Sequence, residues 1–139
     1  MLVWVSAGGF AMTDHVFHFE VKVYYDATDL NGHVNYASYM NYFSRAREEM
    51  IGFGTMARMI NLDNAGIAVY NATMKFRGAA KYGDIIDIRS TSRLDGEFKA
   101  VVHQEAWVVG QNKPAVIADF DLVCIDTKTH KLLKIPVFQ

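Results

Sequence analysis

The sequence predicts an α+β fold in which a curved antiparallel β-sheet wraps around one long central α-helix. Apolar residues recur at helical spacing over only one long stretch, and the segments after that stretch alternate as strands between short turns. Short turns require antiparallel pairing. One helix with an aromatic face is then available to cover the apolar side of the sheet, which gives the predicted architecture.

The first strand is expected from His15 to Tyr25, where Val, Phe and Tyr are frequent. Turn-forming residues follow it, and Asn31-Gly32 is the strongest turn dipeptide among them. The long helix follows Asn35, a good N-cap, and Gly52 is a good stop. Its buried face is predicted from apolar residues three and four positions apart: Tyr36, Tyr39, Met40, Phe43, Ala46 and Met50.

The remainder of the chain is predicted to be mainly strands, after a weak short helix around residues 55–61. The expected strands are Ile67 to Arg77, Ile85 to Leu94, Phe98 to Val109 and Ala115 to Asp126, with a short run near Leu132 to Val137. Turns at Asp95-Gly96 and at Gly110 to Pro114 would connect them. Such a sheet leaves an edge strand and apolar surface uncovered, so self-association is expected.

The length of 139 residues corresponds to one domain. We expect residues 1–13 to be a flexible N-terminal extension and residues 14–139 to form the single domain. The first dozen residues lack the positive start of a secretory signal and are too short to span a bilayer, and no later run reaches that length. A cytoplasmic protein without stable membrane association is therefore expected.

Charge and cysteine content exclude several classes of site. The formal net charge of −1 argues against nucleic-acid binding through a general basic surface. Cys124 is the one cysteine, so neither an intramolecular disulfide nor a thiolate metal cage is expected. Its apolar surroundings in sequence predict a buried, unreactive thiol.

The candidate catalytic segment lies just before the long helix, where Asp29, Asn31 and His33 are spaced two residues apart. Unpaired amides at a helix N-terminus favour negative charge. An amide near Tyr36 could hold the oxyanion that develops on an acyl carbonyl, while Asp29 activates water or attacks the acyl carbon. A thioester suits these groups, because its thiol leaving group has an ordinary pKa of about 8.5 and needs no strong general acid.

Simpler interpretations of this segment are also open. Asp, Asn and Gly are common in tight turns and N-caps, and a lone His33 is more often structural than catalytic. Asp26 competes with the candidate carboxylate but lies further from the helix start. A calcium loop is excluded, because Gly32 at its sixth position would make Ala27 and Ser38 the first and twelfth ligands. No metal site is expected.

The sequence resembles the 4-hydroxybenzoyl-CoA thioesterase-like hot-dog proteins. The resemblance is carried by Tyr25 to Tyr39 (YDATDLNGHVNYASY) and Tyr42 to Glu48 (YFSRARE), with further matches at Phe76 to Asp84 (FRGAAKYGD) and Val123 to Asp126 (VCID). Bacterial long-chain acyl-CoA thioesterases are its nearest likeness within this class. The resemblance implies a hot-dog fold, hydrolysis of an acyl thioester, and assembly as a homodimer or homotetramer.

The resemblance also implies roles for the residues of the catalytic segment. Asp29 matches the catalytic aspartate of the family, and the amide of Tyr36 matches its oxyanion donor. The spacing of Asp29, Asn31 and His33 is similar to the catalytic arrangement of plant fatty acyl-carrier-protein thioesterases. There the asparagine and histidine assist the carboxylate or the attacking water.

Substrate binding is expected on both sides of this segment. Arg77 and Lys81 lie where related enzymes meet the phosphates of the carrier arm, so the carrier would be coenzyme A or acyl-carrier protein. The most studied aromatic-acyl enzymes of the family have other residues where Asn31 and His33 stand, which favours fatty acyl chains. No cofactor is expected, since coenzyme A is part of the substrate. The helix supplies three candidate acyl-pocket residues, which also suit core packing: Tyr39, Met40 and Phe43.

Two further functions are compatible with the same fold. Hydration or dehydration of an acyl thioester would use His33 and a carboxylate as an acid–base pair on the acyl chain. A non-catalytic acyl-binding module would need none of the polar groups before the helix, and fold alone does not exclude it. Glu48 and Glu49 lie on the helix, as does the catalytic glutamate of another branch of the fold, but beside Asp29 they are expected to be surface charges.

Overall fold

The computed structural model describes residues 2–5, 9–12 and 15–135, and contains two helices and an antiparallel sheet. The order of the strands across the sheet is β2-β1-β5-β6-β7-β4, with β3 also paired to β5 and β8 to β7. The predicted α+β class is confirmed. The elements are β1 (Leu2–Val5), β2 (Gly9–Met12), β3 (Phe17–Lys22), α1 (Tyr36–Ile51), α2 (Phe53–Asn61), β4 (Ala65–Phe76), β5 (Ile85–Leu94), β6 (Lys99–Val108), β7 (Val116–Asp126) and β8 (Leu132–Leu133).

The long helix α1 begins and ends where the sequence predicts. The side-chain oxygen of Asn35 accepts a hydrogen bond from the Ser38 amide at 2.8 Å, which satisfies one of the unpaired amides of the first turn. Gly52 ends the helix with a φ of 93°, a backbone conformation that favours glycine. Within the described residues, neither helix is long and apolar enough to cross a membrane.

The core lies between α1 and the inner face of the three central strands. Phe43 of α1 and Phe120 of β7 are fully buried and pack with their ring centroids 5.7 Å apart. Buried residues alternate along β5, β6 and β7, as expected for strands with one covered face. Three polar residues are buried on this mainly apolar inner face: Ser90 and Gln104, which are opposite each other, and Ser92 of β5.

Several element ends differ from the sequence prediction. The first strand is shorter than His15 to Tyr25, because residues Tyr25–Ala27 turn into a short 3-10 helix. β8 ends at Leu133, and residues 136–137 of the predicted last run lie outside the described residues. β1 and β2 pair as a hairpin, while the other residues of the predicted extension 1–13 lie outside the described part of the chain. The flexibility of that extension stays a prediction.

Strand β4 forms one edge of the described sheet. It pairs with β7 along its length, with an irregularity in register between Val69 and Asn71. Its large apolar side chains are substantially exposed at Val69, Tyr70 and Phe76. Self-association is expected from an edge strand with exposed apolar residues.

Candidate active site

The loop before α1 is organised by hydrogen bonds to Asp29. The Oδ1 atom of Asp29 accepts from the backbone amides of Asn31 at 2.9 Å and His33 at 3.2 Å. The Asp29 amide donates to the His33 carbonyl at 2.8 Å, and the Gly32 amide donates to the Asp29 carbonyl at 3.0 Å. These bonds fix the orientation of the carboxylate. Its second oxygen, Oδ2, has no hydrogen-bond partner among the described residues and is available to water or substrate.

A second loop, residues 77–84, lies directly beside the Asp29 loop. His33 and Lys81 form an isolated antiparallel bridge, and the Val34 amide donates to the Ala80 carbonyl at 2.8 Å. The structure therefore brings together the backbones of His33 and Lys81, which are 48 positions apart in the sequence. Arg77 begins this second loop at the end of β4, with its side chain exposed.

The first turn of α1 presents unsatisfied amide groups. The Ser38 amide donates to the Asn35 side chain, and the Tyr39 amide donates to the Asn35 carbonyl. The amides of Tyr36 and Ala37 have no acceptor among the described residues. Unpaired amides at the positive end of a helix dipole can stabilise an oxyanion.

The polar side chains of the candidate site are exposed in the single chain. Asp29, Asn31, His33 and Tyr36 are all exposed, and Tyr36 exposes 72% of its surface. Within the described residues, the side chains of Asn31 and His33 form no hydrogen bond to the Asp29 carboxylate. The predicted catalytic groups therefore share one loop, but their side chains are not hydrogen-bonded to one another within the described residues.

The three candidate acyl-pocket residues of α1 differ in their surroundings. Phe43 is fully buried against Phe120, and Tyr39 is only 2% exposed, so both pack in the core. Burial raises the pKa of Tyr39 to about 12, although the Ala80 backbone amide acts in the opposite direction. Met40 is 40% exposed and is the one of the three that reaches the surface.

The competing carboxylate, Asp26, lies at a different place. It lines a polar cavity of about 200 Å³ together with Lys22 and Arg45. Among the described residues, no group of three or more His, Cys, Asp or Glu side chains could hold a metal ion.

Sequence reasoning missed a buried polar cluster around Gln104. Its side-chain oxygen accepts from Arg47 at 2.9 Å, while its amide donates to the Phe43 carbonyl at 3.1 Å and to the Ser90 hydroxyl at 2.9 Å. Strand alternation offered a signal, because Gln104 occupies a position of β6 whose side chain faces inward. The cluster fastens the middle of α1 to the inner face of the sheet.

Arg47 carries a positive charge into this cluster. Its guanidinium carbon lies 4.2 Å from the centroid of the Phe120 ring. Burial lowers the pKa of Arg47 to about 10, with the charge of Glu48 acting in the opposite direction. The helical spacing of Arg47 from Phe43 places both near the buried stripe, which was the available sequence signal. Glu48, expected to be a surface charge, is partly buried.

The chain is similar to known proteins in sequence and in fold. The family model of the thioesterase-like superfamily matches residues 23–139. The acyl-CoA thioester hydrolase YbgC of Escherichia coli O6:H1 is 28% identical over 128 residues, which cover 90% of this chain and 93% of that protein. The long-chain acyl-CoA thioesterase FadM of Escherichia coli K12 is 26% identical over 115 residues, covering 82% and 86%. The structure of the probable thioesterase YbaW from Escherichia coli aligns with a TM-score of 0.76 at 24% identity, covering 85% and 89%.

Proposed function

This chain belongs to the thioesterase-like superfamily, and from that premise we propose that it hydrolyses an acyl-CoA thioester at the start of α1. One observation carries the proposal. A carboxylate held by two backbone amides stands in the loop that leads directly into a helix whose first two amides are unpaired within the described residues. The arrangement supplies a base or nucleophile and an oxyanion site within one short segment.

In the proposed reaction, the thioester carbonyl oxygen rests against the amides of Tyr36 and Ala37. Asp29 accepts a proton from a water molecule whose oxygen attacks the acyl carbon. The negative charge of the tetrahedral intermediate falls on the former carbonyl oxygen, where a helix amide contributes roughly 10²–10³ in rate. The C–S bond then breaks, and the departing thiolate takes up the proton that Asp29 accepted, which restores the carboxylate. In the alternative form, Asp29 attacks the acyl carbon itself, and water hydrolyses the resulting acyl-aspartyl anhydride.

Asn31 and His33 are proposed to orient the attacking water. Both side chains are exposed on the loop whose backbone holds Asp29, and each can donate or accept a hydrogen bond. Neither is needed to hold the carboxylate, because backbone amides already do so. Their loss should therefore lower the rate without changing the loop.

The carrier of the acyl group is proposed to meet Arg77 and Lys81. Both cations belong to the loop that lies beside His33, and charge-assisted contacts from such side chains suit the phosphates of coenzyme A or of an acyl-carrier-protein arm. A fatty acyl chain is proposed to run along the face of α1 that carries Tyr36 and Met40, both exposed. The names of YbgC and FadM support an acyl-CoA substrate, and that of FadM supports a long chain.

The working form is proposed to be a homodimer or homotetramer. The edge strand β4 exposes apolar side chains, and the candidate site is open to solvent in the single chain. A second copy that covers this edge would bury apolar surface and reduce the access of water to the site.

The proposed reaction needs no cofactor, since coenzyme A enters as part of the substrate. The proposed compartment is the cytoplasm, where a lone cysteine stays reduced.

The test is a hydrolysis assay on a panel of acyl-CoAs from C2 to C18, with aromatic acyl-CoAs and one acyl-carrier-protein thioester added. Released thiol is measured for the parent chain, for Asp29→Asn and for Asp26→Asn, a matched control in the same segment. We expect hydrolysis by the parent and by Asp26→Asn, and a loss of about 10²–10⁴ in kcat for Asp29→Asn. Absence of thiol release from every substrate would contradict hydrolysis. Full activity in Asp29→Asn would contradict the assignment of the carboxylate.

A further inference from the structure

Two exposed tyrosine rings stack on each other beside the candidate active site. The rings of Tyr25 and Tyr82 are nearly parallel, with an interplanar angle of 12° and their centroids 3.9 Å apart. Tyr25 exposes 71% of its surface and Tyr82 exposes 50%. Each ring covers only one face of the other, so exposures this large leave outer ring surface open to solvent. A flat aromatic surface is therefore available for contact with a ligand.

The backbone holds both rings in fixed positions. Tyr25 begins the short 3-10 helix, and its carbonyl accepts hydrogen bonds from the Thr28 amide at 3.0 Å and the Thr28 hydroxyl at 2.8 Å. Tyr82 lies in a tight turn, which is closed by a hydrogen bond of 3.0 Å from the Asp84 amide to the Lys81 carbonyl. Because the pair is formed before a ligand arrives, binding costs it little conformational freedom.

The stacked pair adjoins the candidate catalytic loop. The Tyr82 amide donates to the Gly32 carbonyl at 3.4 Å, and the preceding residue, Lys81, forms the antiparallel bridge with His33. Gly32 and His33 belong to the loop whose backbone amides hold the Asp29 carboxylate. A ligand that reaches Asp29 could therefore extend along this loop to the tyrosine rings.

Two cations lie on the same loop as Tyr82. Arg77 and Lys81 are exposed, and neither side chain forms an ion pair or a hydrogen bond with the described residues. The nearest carboxylate in the loop sequence, that of Asp84, accepts a hydrogen bond from the Lys81 backbone amide at 2.9 Å. An aromatic surface beside free positive charges suits a planar heteroaromatic group that carries phosphates.

This combination discriminates between the two candidate carriers of the acyl group. Both carriers present a phosphopantetheine arm, whose phosphate can meet a cation but whose aliphatic chain has no ring to stack. Coenzyme A alone adds an adenine nucleotide at the end of that arm. A base stacks on an aromatic side chain through its π-face, and the attached phosphates are attracted to neighbouring Lys and Arg side chains.

We propose that Tyr25 and Tyr82 form a stacking platform for the adenine ring of coenzyme A. The proposal rests on the proposed hydrolase function, since it concerns the far end of the same substrate. The platform acts on the binding and choice of the carrier and takes no part in bond breaking. It favours coenzyme A over acyl-carrier protein as the carrier.

The test compares kcat/KM for dodecanoyl-CoA with kcat/KM for dodecanoyl-phosphopantetheine, which has the same arm and a phosphate but no adenosine. We expect the parent chain to prefer the CoA thioester. The double variant Tyr25→Ser/Tyr82→Ser should lower the ratio of the two values about tenfold, because the stacking surface is lost. The double variant Tyr25→Phe/Tyr82→Phe keeps both rings and should keep the ratio.

Tyr24→Ser is the matched control. Tyr24 is 60% exposed and precedes Tyr25, but it is not part of the stacked pair, so the ratio should not change. A displaced loop would impair both substrates, since both carry the arm and its phosphate. An equal fall in kcat/KM for the two substrates in the double serine variant would therefore overturn the proposal, as would equal values in the parent chain.

A binding measurement separates the platform from the proposed function. Titration calorimetry with coenzyme A and with phosphopantetheine requires no catalysis. Tighter binding of coenzyme A that weakens about tenfold in the double serine variant, but not in the double phenylalanine variant, supports the platform even if no thioester is cleaved. Hydrolysis of both thioesters at equal kcat/KM, with no preference in binding, would uphold the proposed function and reject the platform. Failure of both measurements would reject both.

Discussion

The carboxylate of Asp29 accepts a hydrogen bond from the backbone amide of Asn31 at 2.9 Å. The residue proposed as the catalytic carboxylate therefore also stabilises its own loop. The same oxygen accepts the His33 amide at 3.2 Å, and the second carboxylate oxygen has no hydrogen-bond partner among the described residues. The turn interpretation and the catalytic interpretation of this segment are therefore compatible. One oxygen holds the loop, while the other has no hydrogen-bond partner among the described residues.

Because one carboxylate oxygen accepts both loop amides, two variants at position 29 are predicted to differ in stability. Asn keeps a side-chain acceptor for the two loop amides, whereas Ala removes it. We expect Asp29→Ala to lower the free energy of unfolding by about 1 kcal/mol relative to Asp29→Asn, with kcat strongly reduced in both variants. Urea denaturation followed by circular dichroism measures the difference. Equal stability of the two variants would show that the hydrogen bonds from the loop amides to Asp29 contribute nothing to the free energy of unfolding.

The cap of α1 is predicted to support both stability and the candidate oxyanion site. Asn35→Ala frees the Ser38 amide and should cost about 1 kcal/mol of unfolding free energy, while Asn35→Ser should cost less. Fraying of the first turn would also shift the amides of Tyr36 and Ala37, so we expect a lower kcat in Asn35→Ala. Denaturation and hydrolysis assays on the two variants check this. A kcat unchanged alongside the loss of stability would argue against oxyanion binding at the first turn.

Much of the fold could be predicted because its patterns are local. The change of apolar period near Tyr36, the N-cap Asn35 and the stop at Gly52 all lie within or next to one helix. Strand ends were less predictable, because the start of the 3-10 turn at Tyr25 depends on hydrogen bonds within a loop whose residues also suit a strand. Local propensity does not decide such a boundary.

The candidate catalytic segment and the buried polar cluster differ in the same way. Asp29 to Tyr36 is contiguous in sequence, so its turn residues and its helix start could be interpreted together. The contact between Arg47 and Gln104 joins residues 57 positions apart and depends on the register of β6 against α1. No periodic pattern gives that register, and the polar cluster therefore became visible only in the structure.

The buried polar cluster is predicted to be strongly coupled. Gln104→Leu leaves Arg47, Ser90 and the Phe43 carbonyl without their partner, and should lower the free energy of unfolding by about 3 kcal/mol. Adding Arg47→Met removes the cation that Gln104→Leu leaves without its acceptor. The double variant should therefore lose less unfolding free energy than the sum of the losses in the two single variants. A double-mutant cycle in urea measures this coupling. Additive losses would show that the two side chains act independently.

The thiol of Cys124 is predicted to be unreactive in the folded chain. The residue is 1% exposed, and burial raises the pKa of its thiol, so little thiolate forms at neutral pH. A chromogenic thiol reagent should leave Cys124 unmodified in buffer and modify one thiol per chain in urea. Rapid modification in buffer would contradict the burial. The expected result also makes the thiol-release assay free of background from the protein.

The imidazole of His103 is predicted to make stability depend on pH. Burial disfavours its charged form, but its hydrogen bonds to Glu105 at 2.8 Å and Asp119 at 2.9 Å outweigh that effect and raise the pKa of His103 above its ordinary value of 6.5. Because the folded pKa is the higher one, the stabilisation is complete below the unfolded pKa and is lost as the pH rises through the folded pKa. The pKa of Glu105 is shifted downwards, since its bonds to His103 and Trp107 outweigh the opposing effect of burial. Glu105 therefore titrates at a lower pH than the range in which the stabilisation by His103 is lost.

His103→Gln should accordingly lose more unfolding free energy relative to the parent at about pH 6 than at about pH 9. Asp119→Asn removes one negative acceptor and should lower the pKa of His103, which an NMR titration of the imidazole protons measures directly. Both the denaturation series and the titration report on the same charge. An equal loss of stability at the two pH values, together with an unchanged imidazole pKa in Asp119→Asn, would contradict a charged histidine held between Glu105 and Asp119.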